Sequence, residues 1–121
     1  DGRADNIYVE GAYNKINEGS GRATNTAKGG YNNIDAGNGN DTIEAHGGYN
    51  KIYARQGYDR IKAYGGANVI DSNDDWRADN IYAEGGANII NTGSGSDNIE
   101  AYGGANVVNA GSGKNVIKAG G

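Results

Sequence analysis

Large aliphatic residues recur along this chain at one interval. Ile7, Ile16, Ile34, Ile43, Ile52, Ile61 and Ile70 lie on a nine-residue lattice. After a single step of eleven, Ile81, Ile90, Ile99, Val108 and Ile117 lie on it again. Asn25 is the one polar interruption of the column. Nine is not a helical period, and it exceeds the alternation of one strand. Two positions after the isoleucine stands a small residue: Ala27, Ala45, Ala63, Ala83, Ala101. Alternate side chains of a strand face opposite ways, so these isoleucines and alanines share one inward face. The residues that follow are rich in glycine, as tight turns require. Each nine therefore predicts a short strand and a turn.

Alternate nines differ, so the repeating unit is eighteen. One half reads "DNIYAEGGA" (79–87) and the other "NIINTGSGS" (88–96). The expected fold is all-β, a parallel β-roll or β-solenoid with two strand–turn units per coil. Residues 1–121 form a single repeat segment on this reading. Six coils start at Asp5, Ala23, Asp41, Asp59, Asp79 and Asp97, and a partial one starts at Asn115. At about 4.8 Å per coil, six coils span roughly 29 Å. The two extra residues fall near 72–78, in "SNDDWRAD", and are expected to bulge from the edge that carries Asp59 and Asp79 without breaking the stack. "RADNIY" occurs at 3–8 and again at 77–82, which suggests duplication of a four-coil block. One outward column reads Tyr8, Thr26, Glu44, Lys62, Tyr82, Glu100, Lys118, with each acid beside a lysine of the next coil, a favourable cross-strand pairing.

Composition agrees with a thin core. The chain has 12 Ile, 5 Val, no Leu, Phe or Met, and 23 Gly in 121 residues. Such a chain either stays unfolded or buries a narrow repetitive stripe. Without cysteine there is no disulfide or thiolate metal site. No apolar run is long enough to span a membrane. A net charge of -4 gives no basic face for nucleic acid. Starting at Asp1 and ending within "IKAGG", the chain reads as a fragment of something longer.

"AGNGNDTIE" (36–44) and "TGSGSDNIE" (92–100) resemble the nonapeptide Gly-Gly-x-Gly-x-Asp-x-aliphatic-x of RTX (repeats-in-toxin) proteins, a calcium-binding β-roll repeat. "GAYNKI", "GGYNNI" and "GGANVV" look like the degenerate glycine-rich repeats of very large RTX toxins and adhesins. The resemblance departs at one turn of each coil, which carries Asn where the β-roll carries Asp. It implies a secreted, extracellular bacterial protein, of a kind often exported by a type I system, with flanking domains and a host cell-surface partner.

The two turn columns carry the chemistry. One is all Asn: Asn14, Asn32, Asn50, Asn68, Asn88, Asn106. An amide both donates and accepts, so stacked amides can form an uncharged ladder. The other reads Asp5, Ala23, Asp41, Asp59, Asp79, Asp97, Asn115. Carboxylates in register repel and need neutralising. Calcium is one candidate, held by Asp41, Asp59, Asp79 and Asp97 with turn carbonyls of Gly37, Gly39, Gly93 and Gly95, since it prefers carboxylate and carbonyl oxygens. Arg22, Arg55, Arg60 and Arg77 are the other, and some aspartates could simply cap turns.

Catalysis finds little support. The lone His46 stands in a variable column and reads as a solvated turn residue; one histidine makes neither triad nor zinc site. Asp74 and Asp75 beside Trp76 read as solvated loop residues or a local metal or partner site. Tyr13, Tyr31 and Tyr49 form a column that suggests stacking or a sugar platform. Val69, Ile89 and Val107 point outward and could be covered by a neighbouring domain. An ice-binding face would need flat Thr or Asn columns, which Arg60, Lys62 and Glu44 interrupt. The expected function is a non-catalytic structural spacer of an RTX-type toxin or adhesin. The alternative is a binding module for a glycan, ice or a cell-surface partner.

Overall fold

The computed structural model describes residues 5–74 and 77–120, with the backbone alone at 73 and 74. Among them are nine strands and no helix: β1 (Asp5–Glu10), β2 (Tyr13–Asn17), β3 (Ala23–Lys28), β4 (Tyr31–Asp35), β5 (Thr42–Tyr53), β6 (Arg60–Asp74), β7 (Asn80–Gly93), β8 (Asn98–Asn109) and β9 (Val116–Gly120). All pairing is parallel, and partners stand one coil apart, as in Ile43 with Ile61. Across the insertion the step becomes twenty, as in Ile61 with Ile81. The chain is the β-solenoid that its period predicts.

Stacked inward columns of isoleucine and alanine fill the coil. Ile34, Ile43, Ile52, Ile61, Ile70, Ile81, Ile90 and Ile99 are at most 1% exposed, and Ala27, Ala45, Ala63, Ala83 and Ala101 are fully buried. Burying one such isoleucine contributes about 1.5–3 kcal/mol, and stacking repeats that term coil after coil. Asn25 occupies an isoleucine's place, between Ile7 and Ile43 in register. It is fully buried, and neither amide atom has a hydrogen-bond partner.

The two corners of the coil differ more than the sequence suggests. At the Asn corner a tight turn is expected, yet from β5 onward the strand bends through it without a break. Pairing continues as Gly47 with Gly65, Gly65 with Gly85 and Gly85 with Gly103. The reason for glycine here is space. A Cβ on Gly47 would collide with the Gly29 carbonyl and the Asn32 amide. At the Asp corner the glycines do supply unusual angles: φ is 77° at Gly37, 137° at Gly39, 76° at Gly93 and 122° at Gly95.

The insertion shifts the register between Asp71 and Asp74. Beyond it the columns resume, because the Asn80 N–H donates to the Asp59 carbonyl at 2.9 Å. Asp75 and Trp76, and the side chain of Asp74, lie outside the described residues.

Candidate metal edge

Asn14, Asn32, Asn50, Asn68 and Asn88 form a closed amide ladder with Asn106. Each Nδ2 donates to the Oδ1 of the next asparagine at 2.8 Å. The same nitrogen donates a second time, to a backbone carbonyl at the corner: Asn32 to His46, Asn50 to Tyr64, Asn88 to Tyr102. Along the interior of the ladder both amide hydrogens and the amide oxygen are used, so burial costs little. This is the structural role the column suggests.

The Asp column is built on the same principle with a different outcome. Asp41, Asp59, Asp79 and Asp97 are no more than 3% exposed. Their Oδ1 atoms accept a backbone N–H from the preceding coil: Ala23 to Asp41 at 2.9 Å, then Asp41 to Asp59, Asp59 to Asp79 and Asp79 to Asp97 at 3.0 Å. These are caps between coils; a cap within a single turn occurs at Asp35, which accepts the Gly37 N–H at 3.3 Å. A carboxylate has no hydrogen to donate, so unlike the amide it cannot pass a side-chain hydrogen bond on to the next coil. Oδ2 of Asp41 and of Asp97 is inaccessible and without a hydrogen bond.

The electrostatics follow. Burial pushes the Asp41 carboxyl up to about 6; the Ala23 N–H opposes the rise and the neighbouring Glu18 adds to it. Glu18 is itself raised, by burial first and by Asp5 second. Arg55 is spent elsewhere: its guanidinium makes a bidentate pair with Asp35 at 2.9 and 2.8 Å, which holds the Asp35 carboxyl below its usual range. Arg22 and Arg60 are exposed, and Arg77 lies 5.7 Å over the Tyr58 ring.

The donor chemistry of this edge suits a hard cation. Buried carboxylate oxygens sit beside turns whose carbonyls face the stack: a Cβ on Gly57 would strike the Gly39 carbonyl, and one on Gly111 or Gly113 the carbonyls of Gly93 or Gly95. Among the described residues no three acidic or histidine side chains converge to hold an ion alone. Side chains and turn carbonyls would have to share the task, as oxygen-rich cation sites commonly do. Sequence reasoning missed Glu18, Ser72 and Thr92. Ser72 and Thr92 are fully buried, and their hydroxyls, like Glu18 Oε1, have no hydrogen-bond partner. Parity could have found Glu18: Asn14, Ile16 and Glu18 alternate along one inward face, as Asp41, Ile43 and Ala45 do.

His46 is not a solvated turn residue. It lies within β5, half-buried, with its Nε2 2.7 Å from Glu44 Oε1 and its ring stacked on Tyr64 at 4.9 Å. That bond is the main cause holding the Glu44 carboxyl below its usual range; Lys62 adds less. Tyr13, Tyr31 and Tyr49 stack nearly parallel, 4.9 and 5.0 Å apart. Both faces of Tyr31 are thus covered by its neighbours, which leaves ring edges rather than faces to solvent. An open hollow of about 260 Å³ on the outer wall is lined by Arg60, Ile61, Lys62, Asn80 and Tyr82, and joins no acid to a base.

No curated protein and no solved structure matches the chain. The profile of the RTX calcium-binding nonapeptide repeat matches in four copies, at residues 19–52, 47–75, 77–99 and 100–121. Those matches span both corners, the amide-laddered and the carboxylate-laddered alike, and with the eighteen-residue parallel coil they place the chain in the RTX calcium-binding nonapeptide repeat family.

Proposed function

We propose that this segment is a non-catalytic, calcium-stiffened spacer of a secreted bacterial toxin or adhesin. The carrying observation is the pair of buried carboxylate oxygens, Asp41 Oδ2 and Asp97 Oδ2, that the stack leaves without a hydrogen bond. Asp41, Asp59, Asp79 and Asp97 would hold the ions together with carbonyls of Gly37, Gly39, Gly93 and Gly95. Bound calcium would bring positive charge to a column of four stacked acids. The remainder of the coil then serves as a rod, roughly 29 Å for six coils, between flanking domains. The family supports the calcium reading, and its setting in a secreted toxin or adhesin rests on the same resemblance.

A calcium titration of the chelator-treated chain, followed by circular dichroism and calorimetry, tests this reading. The expected result is saturable heat with a rise in β signal or in its thermal persistence. Neither heat nor any spectral or thermal change at millimolar calcium would overturn it.

A further inference from the structure

Three tyrosines stand one above another beside the Asn ladder. Tyr13 pairs in register with Tyr31, and Tyr31 with Tyr49. Their rings are 4.9 and 5.0 Å apart and only 5° and 8° from parallel. Rings so related are near translations of one another, so each ring carbon lies about as far from its counterpart as the centroids do. The amides of Asn14, Asn32 and Asn50, one position further along each strand, bond to one another at 2.8 Å and hold that register. In the next coil Ala67 takes the tyrosine's place and ends the stack.

Stacking closes the ring faces and leaves the edges open. Tyr13 is 60% exposed, and Tyr31 and Tyr49 are half-buried. A phenol reacts at its edge, through the hydroxyl and the two carbons ortho to it. The chain has nine tyrosines and neither cysteine nor methionine, the side chains on which oxidation commonly falls. The other tyrosines are placed differently. Tyr64, Tyr82 and Tyr102 are tilted by 46° and 51° at 5.7 Å. Tyr8, Tyr53 and Tyr58 meet Lys28, Arg55 and Arg77 in place of another ring.

We propose that Tyr13, Tyr31 and Tyr49 are a site of oxidative coupling, at which hydrogen peroxide and a haem peroxidase join neighbouring rings as dityrosine and staple adjacent coils. Each phenol gives up one electron and one proton. The two phenoxyl radicals form a bond between carbons ortho to their oxygens, and the hydrogens on those carbons move to the oxygens. The peroxide takes the two electrons and two protons and leaves as two waters. The rings close the remaining gap by side-chain rotation, which is fast in exposed residues. Tyr31 has a partner on either side and bonds to one or the other. A bond between coils limits the freedom of the unfolded chain, as a disulfide does. It needs no metal, so the inference stands apart from the calcium reading.

The test oxidises the dilute chain with a haem peroxidase and hydrogen peroxide, then isolates the monomer by gel filtration. That monomer should show dityrosine fluorescence and a mass lower by two hydrogens for each bond. Cleavage of the unfolded product after glutamate separates the three tyrosines, because Glu18 lies between Tyr13 and Tyr31 and Glu44 between Tyr31 and Tyr49. The linked peptides should join Tyr31 to Tyr13 or to Tyr49. Tyr31→Phe keeps a ring in the stack but has no phenol, and circular dichroism checks its fold; nearly all the intrachain product should be lost. Tyr49→Phe should retain the Tyr13–Tyr31 link alone, and Tyr53→Phe should leave the yield unchanged. A monomer without dityrosine, or an intrachain yield unaffected by Tyr31→Phe, would overturn the inference.

Discussion

The two corners of each coil solve one problem with different atoms. Both bury a column of polar side chains at strand spacing, and both use an oxygen of that side chain to receive a hydrogen from the neighbouring coil. The asparagine has two further hydrogens and spends them on the next amide and a corner carbonyl. The aspartate has none, so it keeps a charge and, at Asp41 and Asp97, an idle oxygen. One edge is complete in itself; the other, on the function proposed above, takes a positive partner. On that reading the difference of a single atom between Asn and Asp divides a permanent seam from a conditional one.

The sharpest way to break this comparison is to put the wrong residue on the complete edge. Asn50→Asp keeps the acceptor for Asn32 but loses the donors to Tyr64 and Asn68. A buried, uncompensated charge costs about 3–5 kcal/mol, read by urea unfolding, and calcium should not restore it. Retained stability would show that the amide ladder is dispensable.

Acidity probes the other edge. The folded Asp41 carboxyl is raised to about 6, so the folded chain holds this proton more tightly than the unfolded one. Its contribution to stability is full below the unfolded value near 3.9 and disappears as pH rises through 6. In chelator, the melting temperature should therefore fall between pH 4 and pH 6 relative to Asp41→Asn, which lacks this group. With calcium the trend should reverse, since protons and the ion compete for one carboxylate. A pH profile identical in the two proteins would remove Asp41 as the conditional element.

Smaller changes test whether the seams act independently of the core. Asn25→Ile replaces an unpartnered buried amide by the residue of its column and should stabilise the chain by about 2 kcal/mol, measured by denaturant unfolding. Strong destabilisation would mean that the amide has a polar role. Tyr31→Ala removes the middle of the ring stack and should cost about 1 kcal/mol while leaving calcium affinity unchanged, because the stack flanks the Asn corner.

The fold was legible because its period is carried by residues that leave little choice: Ile at every third position and Ala at every fifth can share a face only in an extended chain. The Asn ladder was legible for the same reason. The unbroken strand at the Asn corner was not, since Gly47 and Gly48 look the same in sequence whether they turn the chain or merely let coils approach. The burial of the aspartates was half legible. Asp41 shares parity with Ile43 and Ala45, yet its place beside Gly-x-Gly suggested an edge open to arginine. Glu18 went unread because an acid in a glycine position looks like decay of the motif until its neighbours in space are known.

Thermal melting of the unsubstituted chain and of Asp97→Asn, each with chelator and with saturating calcium, tests the division between the seams most directly. Calcium should raise the melting point of the unsubstituted chain, by the equivalent of about 2.7 kcal/mol at a hundredfold excess over its dissociation constant. Asp97→Asn keeps the oxygen that receives the Asp79 N–H but sheds the charge, so it should melt higher in chelator and gain less from calcium. Melting curves indifferent to calcium in both proteins would contradict the account and leave the Asp edge a metal-free seam.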